Sequence, residues 1–99
     1  MLHVGLLVRL QAKPGKETDV AEFLTSALDL VNEEAGTPIW FAVQFSPNSF
    51  AIFDAFEENG DREDHLGGRV AAALMARADE LFSNKIEIEM FDVLAVKQP

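Results

Sequence analysis

Two runs of β-forming residues on either side of a turn decide the fold of this chain. Residues 37–56 read TPIWFAVQFSPNSFAIFDAF. Isoleucine, valine, tryptophan and phenylalanine are typical of strands, and the run Pro47-Asn48-Ser49 is typical of a turn. The stretch therefore predicts a β-hairpin, with one strand over residues 37–46 and the next over residues 50–57.

The chain before the hairpin predicts a strand and a helix. Residues 2–10 alternate in hydrophobicity with a period of two, which indicates a strand. Pro14 and Gly15 end this strand. From residue 17 to residue 35 the apolar residues recur with a period of 3.6, which indicates an amphipathic helix, and Gly36 is predicted to end it.

The chain after the hairpin predicts a second helix and a last strand. Asp61 is a candidate N-cap, with Asp64 three residues on, and the helical pattern continues to about Phe82. Gly67 and Gly68 interrupt this pattern, and each is unfavourable in a helix interior. They indicate a bend, a close backbone approach to the sheet or space for a ligand; alternatively, the helix begins later and His65 lies on a loop. A strand is predicted over residues 86–97.

The predicted order is strand, helix, strand, strand, helix, strand over one domain, residues 1–99. This is the split arrangement of a ferredoxin-like α+β fold. The handedness of its crossovers favours a four-stranded antiparallel sheet with both helices on one face.

Composition excludes several classes of function. The chain has no cysteine, so disulfides, thiolate catalysis and sulfur-ligated metals are excluded. Its net charge is −9. An acidic surface repels phosphate backbones and anionic lipids, which makes nucleic acid and membranes poor partners. Only two histidines are present, and no spacing indicates a metal or cofactor site. The lack of a leader pattern at the start and of cysteine leads us to expect a cytoplasmic protein.

Both faces of the predicted sheet carry large apolar side chains, whereas two helices cover only about one face. On the strand over residues 37–46, Phe41 and Val43 lie on one side, and Trp40 and Ala42 on the other. We therefore expect a homodimer in which two sheets pack face to face. A two-residue hairpin loop would pair Val43 with Asp54, and a three-residue loop would pair Ala42 with Asp54, so the face that meets the helices stays open.

His65 and Asp54 are the candidate catalytic residues. His65 lies in or near the first turn of the second helix, where an imidazole can act as a base or a hydrogen-bond donor. The alternative is an exposed polar residue near the start of a helix. The positive charge at that helix end favours neutral imidazole. Asp54 interrupts an apolar strand, where a carboxylate is costly unless it is paired. Asp54 would then orient His65, or it would form an ion pair with an arginine or face solvent.

Three further residues are candidates for substrate binding. Trp40, the only tryptophan, can stack on an aromatic ligand, although core or interface packing is the alternative. Gln44 places an amide on the same side of its strand as Trp40. Arg69 follows His65 by one helical turn.

The chain resembles the antibiotic-biosynthesis-monooxygenase domain family over nearly its whole length. The resemblance rests on four stretches: Lys13-Pro-Gly-Lys-Glu17, Glu34-Ala-Gly-Thr37, Phe50-Ala-Ile-Phe-Asp-Ala-Phe56 and a helix that begins around His65. It implies a dimeric α/β-barrel built of ferredoxin-like protomers, and a small aromatic ligand held between sheet and helices. Some members of the family oxygenate phenols or quinols without a metal or flavin.

The resemblance and the candidate residues together lead to an expected function. We expect a cofactor-independent monooxygenase that acts on a small electron-rich aromatic or quinol, with His65 as the base and Asp54 as its positioning partner. The alternatives are a non-catalytic dimeric module that binds a small apolar ligand, and an isomerase that uses the same acid–base pair. The sequence does not decide whether the chain is an enzyme.

Overall fold

The computed structural model describes residues 1–98. The helices and strands, in chain order, are β1 (Val4–Gln11), α1 (Glu17–Val31), β2 (Ile39–Ser46), β3 (Ser49–Phe56), α2 (Asn59–Leu66), α3 (Arg69–Ala76), α4 (Ala78–Leu81) and β4 (Ile88–Asp92). The strands form one four-stranded antiparallel sheet in the order β2-β3-β1-β4. The predicted ferredoxin-like α+β fold is confirmed.

One face of the sheet carries the core. Alternate residues of β1 and β3, such as Leu10 and Phe50, point to the same side and are buried. They pack in one cluster with Val20 of α1, Leu74 of α3 and Leu81 of α4. All the helices that supply this cluster therefore lie on one face of the sheet, as the crossover argument predicted.

The predicted second helix is three short helices instead of one. The chain bends between α2 and α3, where the Gly68 N–H donates to the His65 carbonyl (3.0 Å). A Cβ at Gly68 would lie 3.2 Å from two backbone oxygens, so a side chain fits poorly there. Of the interpretations open for this glycine pair, the bend is the one observed. The predicted cap at Asp61 is wrong, because α2 begins at Asn59 and Asp61 lies within its first turn.

The other predicted boundaries need smaller corrections. The first helix ends at Val31 and not near Gly36, because the N–H of Glu34 bonds to the Val31 carbonyl three residues back and tightens the chain into a turn. The last strand spans only residues 88–92, since its ladder with β1 stops where β1 begins, at the pair Val4 and Asp92. The ends of β1, β2 and β3 lie within two residues of the predicted ones.

The hairpin has neither of the two predicted registers, because Asp54 pairs with Trp40. Ser46 pairs with Ser49 across a two-residue turn, and an irregularity between Gln44 and Ser46 shifts the register by one more residue. Trp40 consequently faces the helices, on the same side as Asp54.

The opposite face of the sheet, here called the outer face, is apolar and uncovered in the single chain. It carries Leu7, Phe41, Val43, Phe53 and Phe91. The Phe53 and Phe91 rings stack with their centroids 5.2 Å apart, and Phe41 is 54% exposed. The expected partner for this face stays a prediction. Of the helices in residues 1–98, none has the length and hydropathy that a membrane crossing requires.

Candidate functional site

His65 lies in the last turn of α2 and is buried, with 7% of its surface exposed. The prediction of a first-turn position was wrong, because α2 begins earlier than expected and ends just after His65 at the glycine bend. The carboxyl end of a helix carries partial negative charge and favours a protonated imidazole. The expected preference for neutral imidazole is therefore reversed.

Two carboxylates hold the His65 ring, one at each nitrogen. Nδ1 lies 2.5 Å from Oε1 of Glu34, and Nε2 lies 3.1 Å from Oδ2 of Asp54. Both ring nitrogens donate hydrogen bonds only in the imidazolium form. The Thr37 hydroxyl donates to the same Glu34 oxygen at 2.9 Å. We call Glu34, His65 and Asp54 the acid–base array.

Three separate elements supply the acid–base array. Asp54 lies on the helix-facing side of β3, and its side chain is 2% exposed. Glu34 follows the end of α1, and His65 ends α2. Asp54 thus pairs with a histidine and not with an arginine, and it does not face solvent. The array links β3 to the carboxyl ends of α1 and α2, so its geometry depends on the whole tertiary structure.

Burial and pairing change the proton affinities in this array. Burial raises the pKa of Asp54 above its ordinary value of 3.8, against the opposing effect of its hydrogen bond with His65. Burial lowers the pKa of His65, but the hydrogen bonds to Asp54 and Glu34 and the charges of both carboxylates outweigh it. The pKa of His65 is therefore raised above 6.5. Such shifts are typical of functional sites and of structural ion pairs alike.

We expect the free energy of unfolding to fall as the pH rises from 6.5 through the raised pKa of His65. In this window the unfolded chain has released the histidine proton while the folded chain still holds it, so a higher pH favours unfolding. The slope approaches about 1.4 kcal/mol per pH unit. The raised pKa of Asp54 acts in the same direction at lower pH, above 3.8.

Urea unfolding followed by Trp40 fluorescence at a series of pH values measures this fall. The His65→Gln variant is the reference, because it lacks the titrating ring. A difference between wild type and variant that stays constant from pH 6.5 into the mildly alkaline range contradicts the prediction.

An inner cavity adjoins the acid–base array. It measures about 30 Å³ and lies between the sheet and α3, among residues that include Trp40, Ile52, Asp54, His65, Val70 and Leu74. Most of its wall is aliphatic, so the polar atoms in it are few. Oδ1 of Asp54 and Nε1 of Trp40 are buried and have no hydrogen-bond partner among residues 1–98.

A larger groove lies beside the inner cavity, between α1 and β2. It measures about 400 Å³, and its lining includes Leu24, Leu28, Trp40, Gln44 and Phe50. This volume is within the range of small-molecule sites. Trp40 forms part of the wall of both spaces, which therefore adjoin at this residue.

The structure brings only some of the candidate residues together. Trp40, Asp54 and His65 line the inner cavity, whereas Gln44 lines the groove and donates to the Pro47 carbonyl at 3.4 Å. Arg69 is exposed and forms an ion pair with Glu33 (2.7 Å). It shares with His65 an open cleft on the other side of the array.

Glu34 and Thr37 are the site residues that the sequence did not single out. Both lie in the stretch that carried the family resemblance, but one carboxylate among seventeen acidic residues is not distinctive. The fold brings Glu34 to His65 across 31 positions of sequence. Within residues 1–98, no group of three or more histidine, cysteine, aspartate or glutamate side chains has an arrangement that could hold a metal ion.

Comparison with known proteins shows which chains share this structure. No family model and no curated protein matches the chain. Among solved structures, the NE2512 protein of unknown function from Nitrosomonas europaea is 50% identical, with a TM-score of 0.96 over 100% of this chain and 96% of that one.

More distant structures share the fold. Rv0793 from Mycobacterium tuberculosis has a TM-score of 0.84 at 13% identity, over 97% of this chain and 99% of that one. A "putative antibiotic biosynthesis monooxygenase" from Nitrosomonas europaea has a TM-score of 0.82 at 14% identity, over 93% of this chain and 99% of that one. The chain therefore belongs to the same family as NE2512, and this family has the ferredoxin-like fold of the antibiotic-biosynthesis-monooxygenase-like proteins, as the resemblance in the sequence indicated.

Proposed function

We propose that this protein is a cofactor-independent monooxygenase that acts on a small electron-rich aromatic or quinol. The observation that carries the proposal is the buried Asp54–His65 pair beside an apolar cavity and a groove of about 400 Å³. Burial raises the pKa of the Asp54 carboxylate, which makes it a stronger base than an exposed aspartate. The fold shared with a protein named as a monooxygenase supports the reaction class.

The proposed base is Asp54, not His65 as the sequence led us to expect. Each nitrogen of His65 is already bound to a carboxylate, so neither is free to take a proton from a ligand. Asp54 lines the inner cavity, and its Oδ1 atom is buried without a hydrogen-bond partner among residues 1–98. His65 then acts as a positioning residue, and Glu34 holds it from the other side.

The reaction balances with dioxygen as the oxidant. A quinol gives its hydroxyl proton to Asp54, and the anion transfers one electron to O₂, which yields a semiquinone radical and superoxide. Recombination of the two forms a carbon–oxygen bond. Cleavage of the O–O bond leaves one oxygen atom on the ring and releases the other as water, so one quinol and one O₂ give one hydroxyquinone and one H₂O. The apolar walls of the site would exclude bulk water from these intermediates.

Oxygen uptake by the purified full chain with a panel of quinols tests this proposal. We expect uptake above the rate in buffer for at least one member, with an oxygenated product in equal amount. Uptake that never exceeds the buffer rate overturns the proposal for that panel. Substrate conversion without oxygen consumption would identify an isomerase instead.

The second candidate is a module that binds an apolar ligand without converting it. The observation that favours it is the full engagement of both His65 nitrogens, which is also how a structural histidine is held. It predicts saturable binding and thermal stabilisation by the ligand without turnover. The same panel distinguishes the two candidates when binding and oxygen uptake are measured together.

We also propose that the protein is a homodimer whose subunits pack through the outer face. A second copy is favoured over an unrelated partner because the rim of this face carries both a cation and an anion, the paired Arg9 and Glu89. A symmetric interface needs such self-complementarity. The exposed aromatic rings Phe41 and Phe53 are the kind of residues that dominate interface energies.

Phe53→Glu is expected to convert the dimer to a monomer. The substitution places a charge in the centre of an apolar interface and is expected to raise the dissociation constant at least about thirtyfold. Sedimentation velocity at micromolar concentration measures the change. Met75→Glu is the control, because Met75 is 57% exposed on α3, away from the outer face. A wild-type protein that sediments as a monomer contradicts the proposal.

A further inference from the structure

Two residues that line the inner cavity each have a buried polar atom without a hydrogen-bond partner among residues 1–98. Nε1 of Trp40 is a hydrogen-bond donor, Oδ1 of Asp54 is an acceptor while ionised, and neither has a partner among residues 1–98. The two residues are opposite each other in the β2–β3 ladder, and both side chains line the same cavity. A buried polar group without a partner is unfavourable, so this pair is suited to an occupant that satisfies both atoms.

A hydroxyl group has the required chemistry. Its oxygen accepts a hydrogen bond from the indole N–H, and its hydrogen is donated to the carboxylate. An ether oxygen would satisfy only the indole, and a hydrocarbon would satisfy neither atom. A ligand carboxylate would be repelled by Asp54.

The size of the cavity limits what enters it. A cavity of about 30 Å³ has room for one hydroxyl oxygen but not for an aromatic ring. The groove of about 400 Å³, which shares Trp40 in its lining, has room for a ring. A ligand with a hydroxyl on a small apolar body therefore matches both spaces.

We propose that Trp40 and Asp54 form a hydroxyl-binding subsite, in which one ligand hydroxyl accepts from Nε1 of Trp40 and donates to Oδ1 of Asp54. The subsite rests on the proposed function for the aromatic class of the ligand. It deepens that function, because it assigns the two protein atoms that select the ligand hydroxyl. It makes Trp40 a specificity-determining residue. Turnover is not required for binding, so the subsite is tested without oxygen chemistry.

Calorimetric titration of the full chain with phenol, methoxybenzene and toluene tests the subsite. We expect phenol to bind about tenfold more tightly than methoxybenzene, and toluene to bind most weakly. Since Trp40 is the only tryptophan, the fluorescence of the wild type should respond to phenol at the same concentration. The preference for methoxybenzene over toluene should disappear in Trp40→Phe, which keeps an aromatic ring and removes the N–H, whereas the preference for phenol over methoxybenzene, which depends on Asp54, should remain.

Gln44→Ala is the matched control, because Gln44 lines the groove and not the inner cavity. It should keep both ratios of dissociation constants, phenol to methoxybenzene and methoxybenzene to toluene. Equal binding of phenol and methoxybenzene by the wild type, a methoxybenzene-to-toluene ratio unchanged in Trp40→Phe, or no phenol binding at all overturns the subsite. Should Trp40→Phe fail to fold, the order of the three ligands on the wild type decides alone. Selective binding without oxygen uptake would refute the monooxygenase and leave the subsite standing.

Discussion

His65→Ala should lower the free energy of unfolding by about 3–5 kcal/mol at neutral pH. Within the acid–base array, His65 is the residue that contacts Asp54 directly. The variant therefore leaves the Asp54 carboxylate, whose side chain is 2% exposed, buried without a charged partner in contact with it. It also removes the contact of the ring with Phe56, whose centroid lies 5.4 Å away. Urea unfolding at neutral pH measures the loss.

The same variant should recover part of its stability in acid. Burial already raises the pKa of Asp54, and without His65 the largest effect that opposes this rise is lost. As the pH falls, Asp54 takes up a proton and the uncompensated charge disappears. The deficit relative to wild type should therefore shrink toward low pH.

His3→Ala is the control for this prediction, because His3 is exposed near the start of β1. It should change the stability by no more than about 0.5 kcal/mol. If His65→Ala and His3→Ala have equal effects, the acid–base array does not stabilise the fold and its electrostatic description above is incorrect.

Asp54→Asn should lower kcat by about 10²–10⁴-fold on any quinol that the wild type oxygenates. The amide has the shape of the carboxylate and can still accept from Nε2 of His65, but it cannot take the substrate proton. Because the substitution removes a buried charge, the variant should fold with a melting temperature near that of the wild type. Oxygen uptake under substrate saturation measures the loss.

Glu34→Gln is the matched comparison for Asp54→Asn. It changes the carboxylate at Nδ1, on the side of the ring away from the inner cavity. As a positioning residue, Glu34 should affect kcat less than Asp54 and should shift the pH profile, because one of the two charges that raise the pKa of His65 is lost. Turnover by Asp54→Asn at the wild-type rate would exclude Asp54 as the base.

The two variants also separate the proposed roles of the histidine. If His65 were itself the base, removal of Asp54 would weaken catalysis mainly through misorientation, and Asp54→Asn would resemble Glu34→Gln. If Asp54 is the base, the two effects differ greatly. The contacts favour the second case, since both ring nitrogens of His65 are occupied and Oδ1 of Asp54 is not.

Much of the site could be found from the sequence. Asp54 was a candidate because a carboxylate in an apolar strand needs a partner, and His65 because few other side chains titrate near neutral pH. Their pairing was one of the alternatives that the sequence left open for Asp54, beside an arginine partner and exposure to solvent. The position of His65 in its helix was not predicted correctly. Gly67 and Gly68 follow His65, and the sequence does not show whether a helix bends or begins at them.

Glu34 and the role of Trp40 required the folded chain. Glu34 meets His65 only because the turn after α1 is packed beside the end of α2, and sequence separation hides this. The hairpin register decides on which face of the sheet Trp40 lies. The irregularity between Gln44 and Ser46 shifts this register by one residue. A one-residue shift places every side chain of a strand on the other face of the sheet.

The sequence by itself determined the order of the elements, the ferredoxin-like fold and the presence of apolar side chains on both sheet faces. Hydrophobic periodicity and turn chemistry act over a few residues, so both are visible in the amino-acid sequence. Only the tertiary structure decided which face meets the helices, which carboxylates hold His65 and which polar atoms are left for a ligand. These depend on register and on contacts between distant segments, which local patterns do not specify.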